Sequence, residues 1–345
     1  MVKVFYGLSM RKFWCILLMA QMLSVGAETL RVMQLNVWNS GYGVPGARVM
    51  IGDEIKKHRP DIVFLCECVK DRIVDDLLAQ LKSADLQYYG SRLDGANQVI
   101  SRFPIVQEAL LPSAYKAVLN PDNGQKIVAY SVHLNYRNYA CYLPRGYSGE
   151  TWKKLSEPVT DLEKIVAMNL ASGRPEAIRA ITADARTHIA AGDIVVLGGD
   201  FNEPSWRDWG EETKNLYDHN GTVISWHSTA LLEKNGFRDS YRELYPNPVT
   251  HPGFTYPCDN SAVSAGRLSW APEADERDRI DFIFYHPGKL KLERVILLGP
   301  QGMIKHGERD LTPTADPISS PKDGRWPSDH RGNLADFVYS EAVVK

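Results

Sequence analysis

Short apolar runs with the two-residue rhythm of strands alternate, through most of this chain, with longer stretches that keep their apolar residues on one helical face. That alternation commits the polypeptide to an α/β fold before any motif is considered. Residues 30–37 alternate apolar and polar side chains as a half-buried strand does. Residues 48–58 read as a helix that stops at Arg59-Pro60, because proline disfavours helical backbone in the residue before it. Residues 62–65 form a short buried strand, and 71–81 place Ile73, Leu77, Leu78 and Leu81 on one helical face. Strands are expected again at 99–100, 105–110 and 126–134. Helices follow near 159–171 and 175–191, with Gly173 and Gly192 where helix ends favour glycine and Pro175 in a first turn. Ile194-Val195-Val196-Leu197 is wholly apolar and runs into Gly198-Gly199-Asp200. A helix near 228–235 and a closing pair of strands, 279–285 and 290–298, complete the pattern. No repeat or break in composition divides it, so residues 28–345 read as one domain.

Two stretches interrupt the rhythm. Residues 135–157 are polar and aromatic, and Pro144, Gly146 and Gly149 break regular structure there. Their Tyr136, Tyr139, Tyr142, Tyr147 and Trp152 suit either a lid over a site or a small core of their own. Residues 246–275 are rich in Pro, Gly and Ser, and 250–257 would add a wall on the same rim. No loop carries the exposed Trp/Phe pair that membrane docking would need, although Trp206 and Trp209, after Asn202, are candidates. Asp278 and Arg279 read as surface charge or a local ion pair.

The N-terminus reads as an address. Met10-Arg11-Lys12 is basic, 13–23 is apolar, and Val25-Gly26-Ala27 are small residues before Glu28: the three parts of a secretory signal peptide over residues 1–27. The apolar run is short for a membrane span. The expectation is a secreted or periplasmic protein without a stable membrane anchor after cleavage; Met10 is an alternative start to Met1. Cys15 leaves with the leader. Cys66 and Cys68 flank Glu67 and read as small buried hydrophobes sharing a face. Cys141 and Cys258, in loops, are candidates to pair in an oxidising compartment, although spacing leaves connectivity open.

A net charge of −2 removes any global pull toward nucleic acid or anionic membrane. No concentrated Lys/Arg run suggests a long nucleic-acid groove. Zinc spacings such as Cys-x-x-Cys are absent. Instead, polar residues recur where apolar strands end: Asn36, Glu67, His133, Asp200 with Asn202, Asp281, and Asp329-His330. Glu67, Asn36 and one or two aspartates make hard oxygen ligands for Mg²⁺ or Mn²⁺. A histidine with an aspartate behind it can deprotonate water near neutral pH.

The ordered set Leu35-Asn36-Val37-Trp38, Leu65-Cys66-Glu67, Ser131-Val132-His133-Leu134, Gly199-Asp200-Phe201-Asn202, Arg279-Ile280-Asp281-Phe282 and Ser328-Asp329-His330 resembles the endonuclease/exonuclease/phosphatase superfamily across residues 28–340. The resemblance implies two packed mixed β-sheets flanked by helices, with the site at the sheet edge. It implies Glu67 as principal metal ligand, with Asn36 close by and Asp329 as a further ligand. Asp200 and Asn202 then position water and phosphate, His330 is the general base oriented by Asp281, and His133 contacts the phosphate or assists the leaving group. One departure stands out: nuclease members often carry an acidic residue before the strand ending Ser101-Arg102-Phe103-Pro104, and here Asn97 and Gln98 stand there. The expected activity is metal-dependent hydrolysis of a phosphodiester or phosphomonoester, the partner being a small phosphate ester or nucleic acid. A secreted DNA or RNA endonuclease or exonuclease is the alternative. A non-catalytic phosphate-binding module is a third reading, but one that predicts loss of a ligand or base, and none is missing.

Overall fold

The computed structural model describes residues 27–321 and 323–340, so the expected leader lies, except for Ala27, outside the described residues. The chain first lays down β1 (Ala27–Asn36), β2 (Ile62–Cys66), β3 (Tyr89–Gly90) and β4 (Asn97–Ser101). It then crosses to a second sheet with β5 (Ile105–Leu111), β6 (Ala114–Leu119), β7 (Ile127–His133), β8 (Ile194–Asp200), β9 (Arg238–Asp239) and β10 (Asp281–Tyr285). It returns with β11 (Leu290–Leu298), makes a hairpin of β12 (Met303–Lys305) and β13 (Glu308–Asp310), and finishes the first sheet with β14 (Ile318–Ser319) and β15 (Gly332–Ser340). The sheets run β14-β11-β15-β1-β2-β4-β3 and β5-β6-β7-β8-β10-β9. Both are mixed: β1 and β2 are parallel, as are β7 and β8, among mostly antiparallel neighbours.

Alternation along each strand builds the layers. From β1 and β2, Leu30, Val32, Ile62 and Phe64 point between the sheets, where they meet Ala129, Val196 and Ile283 of the second sheet. Met33, Leu35, Val63 and Leu65 point outward onto Ile51, Ile55, Leu77 and Leu81 of the helices Ala47–His58 and Ile73–Ser83. The far face of the second sheet buries Val195, Leu197, Phe282 and Phe284 under Ile178, Ile181 and Ala185 of helix Arg174–Ala190. Each such large apolar side chain contributes roughly 1.5–3 kcal/mol by leaving water. Among the described residues no helix is long and apolar enough to cross a membrane.

Several expectations change. The strands at 279–285 and 290–298 do not pair with each other. β10 lies beside β8 and β9 in the second sheet, whereas β11 pairs with β15, a strand absent from the sequence reading. Cys66 and Cys68 do not share a face, because β2 ends at Cys66 and Glu67 turns the backbone with φ 63°. Cys68 consequently joins the outer cluster under the helices. All four described cysteines are buried and free, so Cys141 and Cys258 are not bonded to each other. Asp278 and Arg279 are buried rather than on the surface. Asp278 takes a paired contact from Arg145, and Arg279 bridges Asp208 at 2.9 Å and Asp239 at 2.8 Å, which compensates the charges for burial. Trp209 is fully buried and Trp206 packs in the same cluster, so neither presents a membrane-docking ring.

Candidate active site

Strand direction alone gathers the predicted residues. β1 and β2 are parallel, so Asn36 at the end of one lies beside Glu67, just beyond the end of the other. β7 and β8 are parallel and in register at His133 and Asp200. β10 runs antiparallel to β8, which puts its first residue, Asp281, opposite Asp200. β15 runs antiparallel to β1, and Asp329 and His330 lie just before its start at Gly332. Gly199 permits the tight approach between β7 and β8: a Cβ there would stand 1.7 Å from the Val132 carbonyl oxygen.

His330 and Asp281 form the innermost pair, with His330 Nδ1 2.8 Å from Asp281 Oδ2. Asp281 is held from behind. Gln34 Nε2 donates to its Oδ1 at 2.8 Å, and its own N–H donates to Thr255 Oγ1 at 3.1 Å. Asn333 Nδ2 donates to Gln34 Oε1 at 3.0 Å and so fixes the Gln34 amide. The other imidazole nitrogen, His330 Nε2, lies 3.9 Å from Asp200 Oδ2 and 4.0 Å from Asp329 Oδ1. His133 Nε2 approaches the same Asp200 oxygen at 3.7 Å. Asn202 closes a turn onto Asp200, its N–H donating to Oδ1 at 2.8 Å.

Asn36 sits between two carboxylates. Its Nδ2 donates to Glu67 Oε1 and to Asp200 Oδ2, both at 3.0 Å, while its Oδ1 accepts from Trp38 N–H at 2.9 Å. Glu67 also accepts from Asn39 N–H at 2.8 Å. The expected ligand Asn36 therefore presents nitrogen, not oxygen, to the carboxylates in this arrangement. Asn97, one of the two amides replacing an acid, donates to the Ser113 carbonyl and leaves Asp200 as the carboxylate next to His133.

Crowded negative charge marks the floor. Burial raises the Asp200 carboxyl to about 6; Asp281 adds to the rise while His330 and His133 pull against it. Burial lifts Asp329 to about 7, against His330 and with Glu67 reinforcing it. Burial alone would lower the His330 pKa, but Asp281 and then Asp200 outweigh it and hold the imidazolium well above its ordinary range. Among the described residues, Glu67, His133 and Asp200 bring ligand atoms within 4.8 Å of one another, as do Asp200, Asp281 and His330.

A cleft of about 980 Å³ opens above this floor. Glu67, His133, Asp200, Asn202, Asp329 and His330 line it; Asp281 is hidden behind His330. The aromatic insertion builds a small core of its own and also lines the cleft. Tyr139, Tyr142 and Tyr147 are buried in a cluster with Trp209 and Trp226, Tyr139 and Tyr142 also reaching the cleft; Trp152 packs against that cluster and, with Tyr136, lines the cleft. Of residues 250–257, Tyr256 lines the cleft and Thr255 braces Asp281, while His251 stacks on Tyr245 away from it. Sequence reasoning missed the braces Gln34 and Asn333. Gln34 carried a signal: it falls on the inward face of β1, after Leu30 and Val32, where an amide needs a polar partner.

Comparison with known proteins places the fold. A Caenorhabditis elegans relative, the uncharacterized protein F14F9.5, is 27% identical over 321 residues, 90% of this chain and 91% of the relative. Three solved structures share the fold. The endonuclease/exonuclease/phosphatase from Beutenbergia cavernae DSM 12333 superposes with a TM-score of 0.53 at 16% identity, covering 92% of this chain and 73% of that one. The human Nocturnin catalytic domain with bound sulfate gives 0.51 at 16% identity, covering 91% and 97%. Danio rerio (D. rerio) TDP2 complexed with single-strand DNA product gives 0.50 at 17% identity, covering 90% and 98%. The sequence pattern of the Endonuclease/Exonuclease/phosphatase family matches residues 33–330, and the chain belongs to that family.

Proposed function

We propose that this protein is a secreted, divalent-metal-dependent phosphoesterase in which His330, backed by Asp281, takes the proton from an attacking water. The observation that supports this most is the 2.8 Å His330–Asp281 contact, which leaves Nε2 facing Asp200 and Asp329 on the cleft floor.

The donor set suits the cation that the family uses. Glu67, Asp200 and Asp329 offer hard carboxylate oxygens on the cleft floor, and burial, reinforced by the neighbouring carboxylates, raises Asp200 and Asp329. Glu67 and Asp329 would hold Mg²⁺ or Mn²⁺, with Asn36 close beside Glu67. When bound, the metal offsets charge on the phosphorus oxygens. His330 Nε2, which faces Asp200 and Asp329, would take the proton from water while Nδ1 keeps its contact with Asp281. Asp281 stabilises the imidazolium that forms. Asp200 and Asn202 orient water and phosphate for in-line attack, and His133 contacts a phosphate oxygen or the leaving group. A general base so placed is worth about 10²- to 10⁴-fold in rate.

Secretion through a leader at residues 1–27 belongs to the same reading. Cleavage before Glu28 leaves β1 whole except for Ala27, and keeps Glu28 bonded to Asn123 and Tyr339. Mass spectrometry of the exported protein should find Glu28 at the N-terminus; a retained leader would contradict it.

The chemistry is tested with the mature protein on DNA, RNA, bis-p-nitrophenyl phosphate, sugar and inositol phosphates, and sphingomyelin, each with EDTA, Mg²⁺ or Mn²⁺. The expected result is metal-dependent turnover of one class, abolished by Glu67→Ala. Turnover unaffected by EDTA would contradict the reading. The nuclease alternative predicts polynucleotide cleavage with steep salt dependence, and metal-dependent phosphate binding without turnover would favour the binding module.

A further inference from the structure

The proposed chemistry uses the floor of the cleft and leaves its rim unexplained. Trp270 is 58% exposed and Tyr136 50% exposed, and they are not scattered surface rings. Tyr136 stacks on Trp152 with centroids 6.0 Å apart and planes 22° apart, and Trp152 meets Trp270 at 5.9 Å. All three line the cleft that ends at Asp329 and His330. The row joins two loops distant in sequence, and hydrogen bonds hold those loops together: Tyr142 donates to buried Glu276, and Glu273 N–H donates to the Tyr147 hydroxyl at 3.0 Å.

Charge narrows what such a rim accepts. Among the described residues lining the cleft there is one arginine, Arg137, and no lysine, while Glu150 adds negative charge at the rim. A polyanion finds few phosphate partners there. A single ring finds apolar faces on which to stack.

Tyr256 makes a second, independent observation. It is 6% exposed, its ring lies 4.8 Å from that of His330, and its hydroxyl has no hydrogen-bond partner among the described residues. Buried hydroxyls are normally satisfied, so one left open beside the reacting centre points to a partner that arrives with the substrate.

We infer that the cleft takes a small phosphoester whose organic group carries one ring. That ring lies on Trp152 and Trp270, and the Tyr256 hydroxyl donates to the phosphate end. The inference rests on the metal-and-phosphate reading above.

Calorimetric titration with two inert phosphonates, methylphosphonate and phenylphosphonate, separates the two claims. With Mg²⁺ or Mn²⁺ present, phenylphosphonate should bind roughly 5- to 150-fold more tightly, the range expected for one stacked ring. Trp270→Ala, at an exposed position that folding does not require, should cut that preference at least several-fold, and Trp152→Ala should do the same. Tyr256→Phe should weaken binding of both phosphonates without lowering Tm, since no protein partner is lost. Equal binding of the two phosphonates, or a preference untouched by Trp270→Ala, would overturn the inference while leaving the metal-and-phosphate reading intact. Failure of both phosphonates to bind with metal would overturn that reading and the inference together. Tighter, steeply salt-dependent binding of a single-stranded oligonucleotide would overturn the small-ligand claim.

Discussion

The floor of the cleft and its rim are built by different means. On the floor, Asn36, Glu67, His133, Asp200 and Asp281 stand at or next to the ends of strands whose pairing register fixes their separation. On the rim, Tyr136, Trp152 and Trp270 sit in loops, and long-range polar contacts hold them. Arg174, at the start of its helix and almost fully buried, donates to the carbonyls of Asn135, Arg137 and Asn138 at 2.8–3.0 Å. Arg145 does similar work against Asp278 and the Arg277 carbonyl. The difference teaches that this fold can keep its chemistry while its selectivity changes, because loops can be rebuilt without moving a strand.

That separation is open to attack from either side. The largest effect is expected on the floor. Asp281→Asn removes the charge that orients and stabilises the His330 imidazolium, and should lower kcat by about 10²- to 10⁴-fold with little change in KM. A change confined to KM would mean that Asp281 shapes binding instead. On the rim, Arg174→Ala leaves three carbonyls and Glu203 without their cation, which should cost about 3–5 kcal/mol in denaturant unfolding. It should raise KM more than it lowers kcat; the opposite split would erase the distinction between floor and rim. Tyr142→Phe removes one donor to buried Glu276, which keeps Ser269 and the N–H groups of Trp270 and Ala271 as partners. The expected loss is about 1–2 kcal/mol, again with KM moving first.

The smallest effect is on thermal stability. Because folding raises the carboxyls of Asp200 and Asp329 to about 6 and about 7, ionising them opposes the folded state. The sign follows: the metal-free protein loses stability as pH rises from about 4 through about 7. A bound cation relieves that repulsion, so Mg²⁺ should raise Tm more at pH 8 than at pH 5. An equal rise at both values would mean that Asp329 does not hold the cation beside Asp200.

The floor was legible in the sequence and the rim largely was not, for physical reasons. Short motifs such as Gly199-Asp200-Phe201-Asn202 and Ser328-Asp329-His330 lie in contiguous residues, and apolar runs before the first of them announce a strand. β15 escaped notice because Asn333-Leu334-Ala335-Asp336 lacks clean alternation, although it pairs with both β1 and β11 at the centre of a sheet. With β15 unseen, β10 and β11 read as partners when they belong to opposite sheets. Asp278 and Arg279 looked like surface charge because their partners, Arg145, Asp208 and Asp239, are 40 or more positions away. Trp270 carries no signal of its own in a Pro- and Ser-rich stretch, since its partner Trp152 belongs to another loop.

The central claim, that His330 is the base of a metal-dependent phosphoesterase, is tested most directly by His330→Ala with added imidazole. The substrate would be bis-p-nitrophenyl phosphate in saturating Mn²⁺, or the substrate that the panel identifies. The account predicts a loss of about 10²- to 10⁴-fold in kcat, partly restored by imidazole as pH rises and the added base becomes neutral. Near-full activity of His330→Ala without imidazole would contradict it.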